Sequence, residues 1–366
     1  MPRALLLTMQ DLGAWRAKAD DGERPGGALP YGLDELSGDF DLVWDESYRH
    51  HRATAYAARA IDRGARAAAP GLQGLVPAAN GVRVRPRPDV ALSVFENIGL
   101  GYARVQAVLP RDRRVAHVMM VCWLAEDATT MSGGQRRSVA RSLRGASRIV
   151  VFSSNQVAAL ADLGADQERI DVVPFGVDAD YYSPSRVASP PGGRGLVAVG
   201  SDSRRDYATL FAAAELAHVP VAVLCQPRNV EGLRPPPEVT LLHDVYDADY
   251  RRLLHEADLV VTTTTAPAYP SGQSVVLEAM AMGRATLTTD SPAMREYVHD
   301  GVTGVLSPPG DAPVLARHMT ELLAAADRRE SLGRAAGEDV RRRFTHRLMW
   351  RGVADVMRAA TVREGR

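Results

Sequence analysis

Two short stretches of the chain group residue types that suit a phosphorylated ligand. In Pro270-Ser-Gly-Gln-Ser-Val-Val-Leu-Glu278-Ala-Met-Ala-Met-Gly283, a loop of small residues (Ser271, Gly272, Gln273, Ser274) runs directly into a helix pattern. The first turn of a helix offers backbone N–H groups with no intrahelical acceptor, together with the positive end of the macrodipole, and both favour an anion. Glu278, one turn further in, is placed to accept two hydrogen bonds from a ribose diol. The same pattern describes a plain capped helix that packs Val276, Leu277 and Met280 into a core, and the residues alone favour neither. The second stretch, Gly200-Ser-Asp-Ser-Arg204-Arg205-Asp206, carries two arginines in the turn before a helix. Guanidinium groups there can clamp a diphosphate bidentately. A solvated charged turn has the same composition.

The elements that must position these residues alternate in the manner of βαβ units, which predicts parallel sheets. Strands are predicted at Ala4–Met9, Phe40–Trp44, Asp89–Phe95, Val115–Val121, Arg148–Ser153 and Arg169–Pro174, with a helix at Asn155–Leu163. A Pro/Gly/Ser cluster, Ser183-Pro-Ser and Ser189-Pro-Pro-Gly-Gly-Arg-Gly195, reads as a linker. A second series comes after it, with strands at Leu196–Val199, Val221–Cys225, Val239–His243, Leu259–Thr263 and Ala285–Thr289. Its helices are predicted at Asp206–Leu216, Asp249–Ala257, Val275–Met282, Ala312–Ala325, Arg328–Arg343 and His346–Ala360. Ligands of such sheets bind beyond the carboxyl ends of the strands, so a cleft between the two halves is the expected site.

Bulk composition bounds the function from outside. Basic and acidic residues balance at 44 each over 366 residues, so no global field draws the chain to nucleic acid or an anionic membrane. Local basic runs such as Arg111–Arg114 and Arg341–Arg343 read as solvated faces. Lys18 is the only lysine, so phosphate contacts fall to arginine, backbone N–H groups and helix N-termini. This arginine-, alanine- and glycine-rich usage suggests a GC-rich bacterial source. Cys122 and Cys225 lie far apart in apolar runs, which suits buried thiols rather than a disulfide or metal site. The short apolar run at the N-terminus does not fit a signal peptide, and no stretch is long enough to span a bilayer. A cytoplasmic protein is expected.

The order and spacing of several motifs resemble the retaining glycosyltransferases of family 4. Ile149-Val-Val-Phe-Ser-Ser154, Arg169-Ile-Asp-Val-Val-Pro-Phe-Gly-Val-Asp178 and Tyr182 are similar to that family's approach to its interdomain linker. Glu278-Ala-Met-Ala-Met-Gly283 matches the end of its glutamate-x7-glutamate motif. Asp290, Glu296, Gly301-Val-Thr-Gly304 and Pro309-Gly-Asp311 match the family's next segment along the chain. The resemblance implies the GT-B fold: two facing Rossmann-like doubly wound α/β domains, at 1–185 and 190–344, with a C-terminal helix at 345–366 returning to the first. It implies that Glu278 binds the donor's ribose, that Arg205 contacts its diphosphate with Arg204 or Gly200 assisting, and that the Gly272, Gln273 and Ser274 backbone holds the sugar and distal phosphate. His117, in Arg114-Val-Ala-His-Val-Met-Met-Val-Cys-Trp123, resembles the histidine that lies against the transferred sugar. The residue pattern by itself reads equally as a core histidine in an apolar strand.

One departure bears on mechanism. Pro270 stands where the family has the first glutamate of the motif, so no carboxylate is available there to attack the anomeric carbon. Retention then rests on front-face displacement, with catalysis by positioning and by stabilising the departing diphosphate. Phe175 likewise replaces an asparagine.

Acceptor contacts belong to the first half. Gly26-Gly27 resembles the family's glycine-containing first loop, although a flexible turn has the same sequence. Glu96, following a strand, is a candidate acceptor contact or a helix cap. The adjacent pair His50-His51 cannot share a helix face, and Asp39-Phe-Asp41 precedes a strand, so neither suggests a metal site. The expectation is a metal-independent, cofactor-free hexosyltransferase-type enzyme moving a sugar from a nucleotide-diphosphate donor to a small-molecule or lipid-like acceptor, with antibiotic biosynthesis as the suggested setting. Cell-envelope glycan or glycolipid synthesis remains open, as does a pseudo-glycosyltransferase or sugar-nucleotide epimerase on the same fold. No nucleic acid partner and no stable membrane insertion are expected, and the oligomeric state, a homo-oligomer included, is open.

Overall fold

A computed structural model describes residues 1–16, 27–45 and 52–364. The chain divides into two compact units, one built on residues 28–174 with 1–16 and 349–364, the other on 175–348. The first unit ends at Pro174, ahead of the Ser183–Gly195 cluster. Just beyond it, Val177 donates to the Phe344 carbonyl at 2.8 Å and accepts from the His346 N–H at 2.9 Å, which ties this segment into the second unit.

The first unit holds six parallel strands: β1 (Arg3–Leu7), β2 (Asp41–Val43), β3 (Val90–Ser93), β4 (Ala116–Val121), β5 (Arg148–Val151) and β6 (Ile170–Val172). Their order is β2-β1-β3-β4-β5-β6. The strand sequence reverses direction across the sheet between β1 and β3, so the topological switch point lies there. β3 and β4 are buried along their whole length, as expected of uninterrupted apolar runs in a sheet covered on both faces. Helices α1 (Arg52–Ala68), α2 (Leu75–Gly81), α3 (Glu96–Val108), α4 (Gly133–Leu143) and α5 (Asn155–Asp162) connect the strands.

The second unit repeats the plan with β7 (Leu196–Val199), β8 (Val221–Leu224), β9 (Val239–Leu242), β10 (Leu259–Thr262), β11 (Thr286–Thr289) and β12 (Val305–Ser307). All pairs are parallel, in the order β12-β11-β10-β7-β8-β9, with the switch point between β7 and β10. Its helices are α6 (Tyr207–Ala217), α7 (Asp247–Glu256), α8 (Gln273–Ala281), α9 (Ala312–Ala324) and α10 (Ala326–Arg343). β12 is absent from the sequence-based elements. The last helix, α11 (His346–Glu364), belongs from Met349 onward to the first unit. Its Trp350 Nε1 donates to the Tyr31 carbonyl at 2.6 Å, and Arg358 pairs with Asp39 at 2.7 Å. Cys122 and Cys225 are buried free thiols. Among the described residues, no helix is long and apolar enough to cross a membrane.

Candidate active site

The switch point of the second sheet brings together both stretches singled out by residue type. Gly200 immediately follows β7, and the loop from Thr263 to Gly272 follows β10. These strands are neighbours, so the two turns lie side by side at the carboxyl end of the sheet. Arg205 bridges them. It pairs with Thr264 through an isolated β-bridge, while the Asp206 N–H donates to the Thr263 carbonyl at 3.0 Å. The guanidinium lies against both glycines: a Cβ on Gly200 would collide with Nε, and one on Gly272 would collide with Nη1. A side chain at either position would displace this guanidinium, so the two glycines leave the space through which it passes. Gly272, at φ 88°, also needs the left-handed conformation to start α8.

Arg205 Nε and Nη1 are buried and have no hydrogen-bond partner within the protein. Buried donors on a permanently charged group that stay unsatisfied cost about 1–3 kcal/mol each, and they are retained where water, an ion or a ligand satisfies them. The Ser271 hydroxyl in the adjoining loop is likewise buried and unpartnered. The N–H of Gln273 is already spent on the Pro270 carbonyl at 3.1 Å. The Gln273 amide is therefore not free for a phosphate, contrary to expectation. The Arg204 amide donates to Asp202 Oδ1 at 2.7 Å, and the Gly200 carbonyl accepts from the Tyr207 hydroxyl at 2.6 Å; both bonds fix the shape of the turn.

Glu278 projects from α8 within the same unit. Its Oε2 accepts a 2.6 Å hydrogen bond from the Tyr250 hydroxyl on α7. Burial pushes the Glu278 carboxyl up to about 7, against the lowering effects of that hydrogen bond and of Arg205. The Tyr250 phenol is raised well above its usual value, chiefly by burial and then by Glu278. Tyr182 packs edge-on against Tyr250 with ring centroids 6.2 Å apart. Sequence reasoning missed Tyr250. Nothing in the linear spacing links it to Glu278, since the two meet only through the packing of α7 beside α8.

The first unit places its candidates differently. His117 is the second residue of β4, paired in register with Ala91, and is fully buried. Its Nε2 lies 2.9 Å from Ser93 Oγ, its backbone N–H donates to Ser147 Oγ at 3.0 Å, and its ring stacks edge-on against Tyr102 at 4.8 Å. Burial lowers its pKa to about 3, so it is neutral at any ordinary pH. The expected contact with a transferred sugar is therefore corrected. The strand starts at Ala116, which puts His117 at the amino end of the sheet, and Cys122 and Trp123 stand at the carboxyl end instead. His117→Ala is expected to cost about 2–4 kcal/mol of stability through the cavity and the orphaned serine. A lower Tm with unchanged KM for the sugar donor would show this; a selective loss of kcat at unchanged Tm would contradict it.

Glu96 is also corrected. Its two carboxylate oxygens accept from the N–H groups of Cys122 (3.1 Å) and Trp123 (2.6 Å), and burial raises its pKa. Both oxygens are thus committed to the turn after β4, leaving none directed at an acceptor. Gly27, at φ 68°, sits in the turn before Pro30; Gly26 and the His50-His51 pair lie outside the described residues. Asp39 is taken up by Arg358, and Asp41 by Arg3 at 3.0 Å. Among the described residues, no three His, Cys, Asp or Glu side chains gather in a metal-binding group.

Comparison with known proteins bears on the fold. Residues 202–325 match the family model of glycosyl transferases group 1. No curated protein matches the chain by sequence. Solved structures match over nearly its whole length. HepE (Alr3699) of Anabaena, in complex with UDP and glucose, covers 98% of this chain and 100% of its own, with TM-score 0.67 and 17% identity. Sucrose-phosphate synthase of Thermosynechococcus elongatus covers 99% and 100%, with TM-score 0.70 and 15% identity. A glycosyltransferase of Rickettsia africae covers 98% of each, with TM-score 0.62 and 14% identity. At such identities the likeness is one of fold. The chain thus has the two Rossmann-like sheets of the GT-B glycosyltransferase fold, and the part of its second unit at 202–325 is similar to glycosyl transferases group 1.

Proposed function

We propose that the chain is a retaining glycosyltransferase that moves a sugar from a nucleoside diphosphate donor to a small-molecule acceptor without a metal ion. The observation that carries this reading is Arg205, lying against two glycines with two buried donors unsatisfied, beside the start of α8 and with Glu278 further along that helix. A diphosphate satisfies the arginine in bidentate fashion and meets the positive end of α8, so these groups supply the charge that a divalent cation supplies elsewhere. Glu278, displacing or sharing the Tyr250 hydroxyl, accepts the two ribose hydroxyls. The resemblance to retaining family 4 enzymes supports retention, and Pro270 leaves no carboxylate in that place to form a covalent intermediate.

The step then balances without an enzyme nucleophile. The bond from the anomeric carbon to the diphosphate oxygen breaks, the acceptor oxygen bonds to that carbon on the same face, and the acceptor proton passes to the departing diphosphate. Arg205 stabilises the negative charge that develops on the leaving group. The complexes of HepE with UDP and glucose make UDP-glucose the first donor to try. The arginine-rich bacterial composition favours a natural-product acceptor in the cytoplasm, where Cys122 and Cys225 stay reduced.

Calorimetry against UDP-, GDP-, dTDP- and ADP-glucose tests the proposal. At least one is expected to bind, with hydrolysis or transfer producing the nucleoside diphosphate. Binding of none of the four would remove the central claim, and conversion of a bound donor to a rearranged sugar without acceptor would point to an epimerase instead.

A further inference from the structure

The carboxyl end of the first sheet carries an aromatic group that the donor chemistry does not use. Phe95 is its hub. Its ring lies 5.9 Å from Tyr31 in an edge-on arrangement, 5.1 Å from Trp123 in a tilted one, and 6.3 Å from Phe152, again edge-on. Each residue comes from a turn just beyond a strand or from the segment after β1: Phe95 follows β3, Trp123 follows β4, and Phe152 follows β5. Phe95 stands at the β1/β3 switch point, the position at which an open α/β sheet receives a ligand. Thr8 and Gln10, following β1, stand across the same switch point, and the Gln10 amide donates to the Tyr31 hydroxyl at 3.0 Å.

The backbone shows that this arrangement is imposed. Phe95 has φ 75° and Tyr31 has φ 58°. Bulky residues avoid the left-handed region, and such strain concentrates where a binding surface must be held in one shape. Surrounding groups enforce it. Trp350 Nε1 holds the Tyr31 carbonyl, and the Glu96 carboxylate grips the Cys122 and Trp123 amides, fixing the turn that presents the indole. Phe152 is buried, whereas Trp123 is 36% exposed. The result is a fixed aromatic wall with one large ring open and polar groups on its rim.

We propose that this wall is the acceptor subsite and that the acceptor carries a flat aromatic ring stacked on Trp123. This inference rests on the glycosyltransferase reading and names the substrate class that it leaves unstated. Aromatic rings fixed in offset and edge-on geometry reward a planar partner. A flexible alkyl chain gains nothing from ring orientation and loses rotamer freedom on binding. Glu96 acts here as a positioning residue through its hold on the Trp123 turn.

The test uses 4-methylumbelliferone as the aromatic probe, with decanol and maltose as the alkyl and sugar alternatives. Saturation-transfer NMR on the whole chain is expected to show 4-methylumbelliferone binding, and neither of the others at equal concentration. Trp123→Ala should weaken it at least tenfold and Trp123→Phe less than threefold, with affinity for the nucleotide-sugar donor unchanged in both. That unchanged donor affinity separates failure of this subsite from failure of the donor reading. Decanol or maltose binding as tightly as 4-methylumbelliferone would overturn the proposal, as would failure of the wild-type protein to bind the probe while it binds donor. Equal affinity of Trp123→Ala and wild type for the probe would do the same, and the wild-type measurement stands even if Trp123→Ala does not fold.

Discussion

Arg205→Ala is expected to weaken nucleotide-sugar binding by about a hundredfold while leaving the free protein at least as stable as the wild type. The two halves of that result have a common cause. Hydrogen bonds to charged groups contribute about 1.5–3 kcal/mol each, and loss of a bidentate clamp on the diphosphate removes roughly 3 kcal/mol, which is about a hundredfold. In the free protein, however, Nε and Nη1 make no hydrogen bond, so the substitution breaks none and removes two buried donors. Most half-buried arginines would show the reverse, a loss of stability with little effect on a ligand. Arg205→Lys keeps the charge without the fork and should fall between, roughly tenfold weaker. Calorimetry with the best-binding nucleotide sugar, paired with thermal melts, checks both parts. Undiminished donor affinity in Arg205→Ala would refute the assignment.

Glu278 predicts a pH dependence of donor binding. Its folded-state pKa is raised from 4.5 to about 7 by burial, so near neutral pH it is poised between an acid that donates and a carboxylate that accepts. A ribose diol donates two hydrogen bonds and selects the carboxylate. Affinity should therefore be full above about pH 7 and fall towards tenfold per pH unit below it, with proton release on binding near the midpoint. A nucleotide sugar is the right probe, because its diphosphate diester does not titrate in this range. Glu278→Gln should bind weakly and without this pH dependence.

The free protein should respond in the opposite sense. A carboxyl whose pKa is raised on folding contributes stability that is fully present below pH 4.5 and lost as the pH rises through 7. The loss for a shift of this size is roughly 3 kcal/mol. Glu278→Gln retains an acceptor for the Tyr250 hydroxyl and has no charge to bury, so it should melt higher than wild type at about pH 8 and similarly at about pH 4. A donor affinity flat between about pH 5.5 and 8 in the wild type, or a Glu278→Gln protein less stable at the upper end of that range, would show that the carboxyl is not the group that titrates.

What was legible in the sequence is what local chain chemistry decides. Apart from β12, the strands of both sheets stand out as apolar runs between turn residues, because a parallel strand covered on both faces has no polar side to show. Most boundaries agree to within a residue or two; α8 starts at Gln273, ahead of Val275, because Gly272 can enter the left-handed conformation that begins it. The Ser271–Glu278 and Gly200–Asp206 stretches were recognisable for a similar reason. A helix start and a βα turn have their chemistry written in consecutive residues.

Tertiary structure decided everything that depends on where a strand begins or on which turns become neighbours. Register puts His117 at the amino end of β4, which turns the expected catalytic histidine into a neutral core residue bonded to Ser93. Sheet order puts β7 beside β10, so that Arg205 can pass between Gly200 and Gly272, two glycines far apart in the sequence. The contact of Tyr250 with Glu278, and the gathering of Tyr31, Trp123 and Phe152 around Phe95, arise in the same way. Hydrophobic pattern specifies which residues are inside, but it carries no information about which strand ends converge, and a ligand site is made of convergent strand ends.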